Sequence, residues 1–151
     1  MGASITIDLD TSAFSPAMDE IKAATSDLKE LCTLLAGRAV KMIDRKFQKS
    51  GPGWVPLSAR TLRRRRKNGR GAKPLLDTGK LRASTVANGE GGVFEVSSTG
   101  FVVGSNLEYA AAHQFGIASR GLPARPFIPT EESIVAEFTP VITRYFTDKF
   151  A

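Results

Sequence analysis

A chain of 151 residues, 42% hydrophobic and 24% charged, fits one folded domain with a real core and excludes a disordered or fibrous protein. No run approaches the ~18 apolar residues that a membrane-crossing helix needs, and the opening MGASITIDLD lacks the basic-then-apolar order of a secretory signal. Net charge is +6, yet ten cations lie between Arg60 and Arg82 against Asp77 alone, so that segment carries +9 and the remainder −3.

In chain order, Ser4 to Asp10 alternates Ile5, Ile7 and Leu9 with Thr6 and Asp8, the pattern of a half-buried strand. Thr11 to Phe14 reads as a turn, and Ser15-Pro16 as a cap followed by proline at the first helical position. Helical spacing then continues to about Gln48, with Ile21, Leu28, Leu31 and Leu35 on one stripe and Val40, Ile43 and Phe47 on another. The change of stripe predicts one long curving helix or a bend near Gly37. Cys32, the single cysteine, excludes an internal disulfide and a cysteine-based zinc cluster; among leucines it reads as a small buried apolar residue. Ser50-Gly51-Pro52-Gly53 ends the helix, and Trp54 follows as cover for one end of the core or as an interface anchor. Ser58 caps a short helix containing Thr61 and Leu62, and a mobile basic loop is predicted over about 63–74 from its like charges and glycines.

Three short strands are predicted next, Ser84 to Ala87, Val93 to Ser97 and Phe101 to Val103, joined by tight glycine-containing turns. Gly104-Ser105-Asn106 stops the last strand, and Tyr109 to Phe115 reads as one or two helical turns closed by Gly116. Arg125-Pro126-Phe127-Ile128-Pro129 cannot be regular structure, because each proline forces the residue before it into an extended conformation. Thr130 caps a final helix with Glu131 and Glu132 in its first turn, and Pro140 is expected to kink or split it. The expected fold is α+β: one domain over 1–151, an antiparallel sheet of about four strands, and a long N-terminal and a kinked C-terminal helix packed on it.

Four blocks in this order, Trp54 to Ser58 (W-x-P-L-S), Leu76 to Ser84 (L-x-T-G-x-L-R-x-S), Val103 to Gly116 (V-G-S-N-x-x-Y-A-x-x-H-Q-F-G) and Ala124 to Phe127 (A-R-P-F), carry a resemblance. The chain resembles the phage virion morphogenesis family, which comprises tail completion and head–tail joining proteins, those of Mu-like phages included. The resemblance implies a structural neck or tail protein (a tail completion, tail terminator or head–tail joining part) acting as one subunit of a ring, six-fold in such phage parts. It implies contacts with tail tube or connector proteins and a place in the virion after synthesis in the host cytoplasm.

The residues themselves offer little catalysis. His113, the sole histidine, is flanked by Ala112, Gln114 and Phe115, which supply neither further metal ligands nor an acid to orient it. No glycine loop has the strand-to-helix setting and lysine that phosphate binding requires. No catalytic, cofactor or metal residues are assigned. Trp54, the short helix's Tyr109 and Phe115, and Leu122, Arg125 and Phe127 of an arm expected to expose its apolar side chains, are the candidate subunit contacts. Arg63, Arg64, Arg65, Arg66, Lys67 and Arg70 are candidate contacts to an acidic partner or to passing double-stranded DNA. A non-specific DNA-binding module working through those arginines is the alternative to the structural role.

Overall fold

The helical region after Ser15 forms as two helices, and the break falls at Asp27 instead of Gly37. In the computed structural model, which describes residues 15–51, 53–86 and 89–150, α1 spans Ser15–Ser26 and α2 spans Lys29–Gln48. Asp27 Oδ1 accepts the Lys29 N–H at 2.9 Å, and the Leu28 N–H bonds Ser98 O at 3.0 Å. Short acidic side chains favour such breaks because they compete for the free N–H groups that open a helix. Gly37 lies inside α2, with open space where a side chain would stand. The strand expected at Ser4 to Asp10, and the turn after it, lie outside the described residues.

α2 is the spine of the core. Leu31, Leu35 and Met42 lie beside Cys32, Ala36, Ile43 and Phe47 on adjoining stripes, and all seven are buried. Past the helix end the chain reverses through Ser50 and Gly51, both in the left-handed region at φ 57° and 58°. A Cβ on Gly51 would overlap the Trp54 ring, so glycine there lets Trp54 fold back over Phe47. Their ring centroids stand 6.0 Å apart, edge to face, and Trp54 Nε1 donates to Pro126 O at 3.0 Å. Trp54 therefore covers one end of the core.

The expected sheet of about four strands is, among the described residues, a two-stranded hairpin. β1 (Gly92–Val96) pairs antiparallel with β2 (Phe101–Ser105), in register from Gly92 opposite Ser105 to Val96 opposite Phe101. Two of the predicted strands exist; of the one at Ser84 to Ala87, Ser84 to Val86 are helix, in α4 (Lys80–Val86), and Ala87 lies outside the described residues. Its Thr and Val carry β propensity, but Leu81, Ser84 and Thr85 recur at helical spacing and are buried together. Both hydroxyls turn back to the Leu81 carbonyl, at 2.8 and 3.2 Å, so their polar atoms are satisfied inside the helix.

The predicted loop at 63–74 is also helical in its first half. α3 (Ala59–Lys67) starts at Ser58, whose Oγ accepts the Thr61 N–H at 3.2 Å, and continues through all the arginines of the run. Arginine is a good helix former, and cations near a helix C-terminus favour its dipole. Like-charge repulsion between neighbouring turns costs only a few tenths of a kcal/mol, too little to unwind it.

The remaining elements are α5 (Glu108–Phe115), a 3-10 turn at Ala118–Arg120 and α6 (Glu131–Phe150). Pro140 lies inside α6 without splitting it, and no residue of that helix is fully buried. α6 is held by Phe138 against Phe101 (centroids 6.0 Å) and by Glu137, which pairs with Arg45 at 3.1 Å and Arg38 at 3.5 Å. No helix among the described residues is long and apolar enough to cross a membrane.

Candidate functional site

The arm from Leu122 to Pro129 is fastened to α5 and to the segment after Trp54, and these contacts join three of the sequence blocks. The Arg125 N–H bonds His113 O at 2.7 Å, and Gln114 Oε1 accepts the N–H groups of Phe127 and Ile128, each at 3.0 Å. Arg125 Nε and Nη2 donate to the carbonyls of Val55 and Pro56 at 2.8 and 3.2 Å. Proline leaves this stretch without helix or sheet partners, so side chains must satisfy its backbone. Gln114 was not among the candidate residues; its place between His113 and Phe115, just after the alanine run 110–112, was the available signal.

Gly116 lets the arm approach so closely. It sits at φ 75°, ψ 172°, a region open essentially to glycine, and a Cβ there would fall 2.7 Å from Ala124 N and 2.9 Å from Leu122 O. Gly116→Ala should cost at least about 1–3 kcal/mol from backbone conformation alone. A thermal melt, with limited proteolysis of the arm, checks this; an unchanged melt with an uncut arm would refute it.

The arginine run is divided by α3. Arg63, Arg64, Arg66 and Lys67 are exposed, whereas Arg65 is 7% exposed and turned inward. Arg65 Nη1 donates to Gly71 O at 3.2 Å and Lys73 O at 2.8 Å, which ties the end of the predicted loop to the helix. Asp77 lies between two arginines: its Oδ2 accepts from Arg70 at 2.9 Å, and its Oδ1 stands 3.4 Å from Arg65 Nε. That second approach is a charge contact without hydrogen-bond alignment, so Arg65 Nε and Asp77 Oδ1 are both buried without a hydrogen-bond partner. Asp77 was not among the candidate residues, although it is the one carboxylate among the ten cations of that segment.

Beside these residues opens a cleft of about 900 Å³, walled by Val55 to Ser58, α3, the Asp77 to Leu81 turn, α5 and the arm. Arg64, Arg65, Lys80 and Arg125 line it against the single carboxylate of Asp77. Burial, and secondly the Arg65 guanidinium, lower the pKa of Arg125. Val55, Leu57, Leu122 and Pro123 supply apolar surface around those charges.

His113 also lines the cleft, with Nδ1 buried and unpartnered and its ring edge to face with Tyr109 at 6.0 Å. Burial first and Arg125 second lower its pKa from the ordinary 6.5. The unfolded chain therefore binds a proton more readily, so stability present above about pH 6.5 is lost as pH falls toward the folded pKa. The melting temperature should drop between about pH 7.5 and about 5.5, and His113→Gln should flatten that drop. Equal slopes for the two proteins would refute this. Among the described residues no three His, Cys, Asp or Glu side chains gather in a way that could hold a metal ion.

Of the candidate contacts, the fold brings Arg64, Arg65, Tyr109, Leu122 and Arg125 to the cleft, and leaves Phe115 on the surface at 77% exposure. Phe127 is 2% exposed, in the core against Phe47 at 5.6 Å, so the arm does not present it as an exposed apolar residue. It points inward because Gln114 fixes the backbone on either side of its Cα.

A model of the phage virion morphogenesis family matches residues 9–146 of the chain. An uncharacterized protein of Methanocaldococcus jannaschii is 38% identical over 88 residues, 57% of this chain and 62% of that protein, so the chain spans less than two thirds of that relative's length. Mu-like prophage FluMu G protein 2 of Haemophilus influenzae is 32% identical over 130 residues, 80% of this chain and 82% of that protein. No solved structure matches.

Proposed function

The chain belongs to the phage virion morphogenesis family, and from that premise we propose that it is a structural part of the neck or tail, assembling as a ring subunit during tail completion, termination or head–tail joining. The observation that carries this reading is the family match over residues 9–146, with the likeness to a Mu-like prophage protein beside it. The surface supports it. Tyr109, Phe115 and Val135 on helices and Ile128 on the hydrogen-bonded arm are exposed apolar side chains, and contacts between preorganised segments lose little entropy on assembly. A head-to-tail contact that closes on itself gives a ring of defined number. In this reading the protein reaches the virion from the host cytoplasm and meets tail tube or connector proteins there.

The test is a phage or prophage carrying a stop codon in this gene. Separate heads and unfinished tails in electron micrographs, cured by supplying the protein, are the expected result; infectious particles in normal yield would end the reading. One observation favours a second role. Arg60, Arg63, Arg64, Arg66 and Lys67 are all exposed on α3, an open row of cations that suits the backbone of passing duplex DNA. Retention of duplex DNA that weakens steeply with salt, and vanishes when Arg63, Arg64 and Arg66 become serine, would support it.

A further inference from the structure

We propose that the cleft between α3, α5 and the arm receives the Ile128 to Val135 strip of a second copy of this chain, with its Glu131 and Glu132 set against Arg64 and Lys80. This rests on the ring-subunit reading and names the two surfaces that meet.

The cleft is incomplete within one chain. Four cations line it against one carboxylate, and Arg65, nine-tenths buried, keeps its Nε without a hydrogen-bond partner. Arg64 makes no ion pair with a described residue, and Lys80 reaches only Glu90 at 3.7 Å, with both side chains mostly in water. A contact of that kind is worth little. The cleft therefore presents positive charge framed by apolar walls.

The strip has the complementary pattern. Glu131 and Glu132 are exposed at the start of α6 and pair with no described cation. Ile128 at 41% and Val135 at 56% exposure flank them. None of the residues from 128 to 135 lines the cleft, so the two are separate surfaces of one chain, as a repeating head-to-tail contact requires. The charge of the whole chain agrees: the segment that supplies Arg64, Arg65 and Lys80 carries +9 and the remainder −3. Duplex DNA suits the cleft less well than the open face of α3, because apolar walls give a phosphate backbone nothing to bind.

Native mass spectrometry and sedimentation of the purified protein over a dilution series provide the test. Arg64→Glu with Lys80→Glu should raise the concentration for half-assembly at least about tenfold, since like charges then face each other. Glu131→Lys with Glu132→Lys should do the same. All four together should return to within about threefold of the parent, because the attraction is restored with its sign reversed. All four residues are exposed, and circular-dichroism melts confirm folding; Arg64→Gln with Lys80→Gln is the milder variant should a reversal unfold the chain. Parent-like assembly of either reversed pair, or of the glutamine pair where it is needed, overturns the proposal and leaves the ring reading standing. Failure of the combination to recover also overturns it. A reversed cleft that assembles normally but no longer retains duplex DNA makes the cleft a nucleic-acid surface instead. A parent protein that stays monomeric at every concentration removes the ring reading, and this proposal with it.

Discussion

Phe127→Ala should lower the melting temperature of the isolated chain by roughly 6–20 °C, before any partner is involved. Phe127 is almost wholly buried, its ring 5.6 Å from that of Phe47, in a cluster with Ile43, Trp54, Leu75, Leu81 and Ala110. Truncating a buried phenylalanine costs about 3–5 kcal/mol, because transfer energy is lost and a cavity remains. Against a typical total of about 5–15 kcal/mol that is a large share. Backbone bonds from Gln114 hold the arm on both sides of Phe127, so the site cannot easily collapse to fill the gap. A calorimetric or circular-dichroism melt reads the effect. Phe115→Ala, at 77% exposure, should leave the same melt almost unchanged. If the two variants melted alike, the assignment of Phe127 to the core would be wrong. With Phe127 in the core, a loss of assembly in Phe127→Ala reports folding first and interface second.

Arg65→Ala should cost about 2–4 kcal/mol, while Arg63→Ala and Arg66→Ala should each stay within about 0.5 kcal/mol of the parent. Three adjacent-looking arginines thus divide sharply. Arg65 donates to the carbonyls of Gly71 and Lys73 from a buried position, and its loss strands both acceptors and removes the charge contact 3.4 Å from Asp77 Oδ1. Hydrogen bonds from a charged donor contribute about 1.5–3 kcal/mol each, part of which is offset because a guanidinium no longer has to be desolvated. Arg63 and Arg66 face water, and their side chains make no ion pair with a described residue. Chemical denaturation of the three variants measures this; a parent-like midpoint for Arg65→Ala would place that side chain in solvent.

Much of the site was visible in the order of residues, but not its geometry. His113-Gln114-Phe115-Gly116 read as a short helix closed by glycine, and Gly116 does close α5. Nothing local to Arg125-Pro126-Phe127 said which side chains turn inward, because an arm without hydrogen-bond periodicity carries no face. That orientation comes from Gln114 and from the carbonyls of Val55 and Pro56, about seventy residues away in sequence from the Arg125 they hold. The strand expected at Ser84 failed for a related reason. β propensity is mostly a statement about neighbours, and the neighbours of Ser84 and Thr85 are the Leu81 carbonyl and the Ser105 hydroxyl, which reward a helix.

By itself the sequence determined the helical stripe from Leu31 to Phe47, the hairpin of β1 and β2, the terminal helix after Thr130, the charge imbalance around Arg60 to Arg82, and the blocks that mark the family. These depend on periodicity, turn chemistry and composition, which act over a few residues or by simple sum. Tertiary structure alone decided that Phe127 and Arg65 point inward, and that Arg64, Lys80, Tyr109 and Arg125 share a cleft. Those outcomes depend on which distant surfaces exclude water together, and burial is a property of the packed chain, not of any short stretch of it.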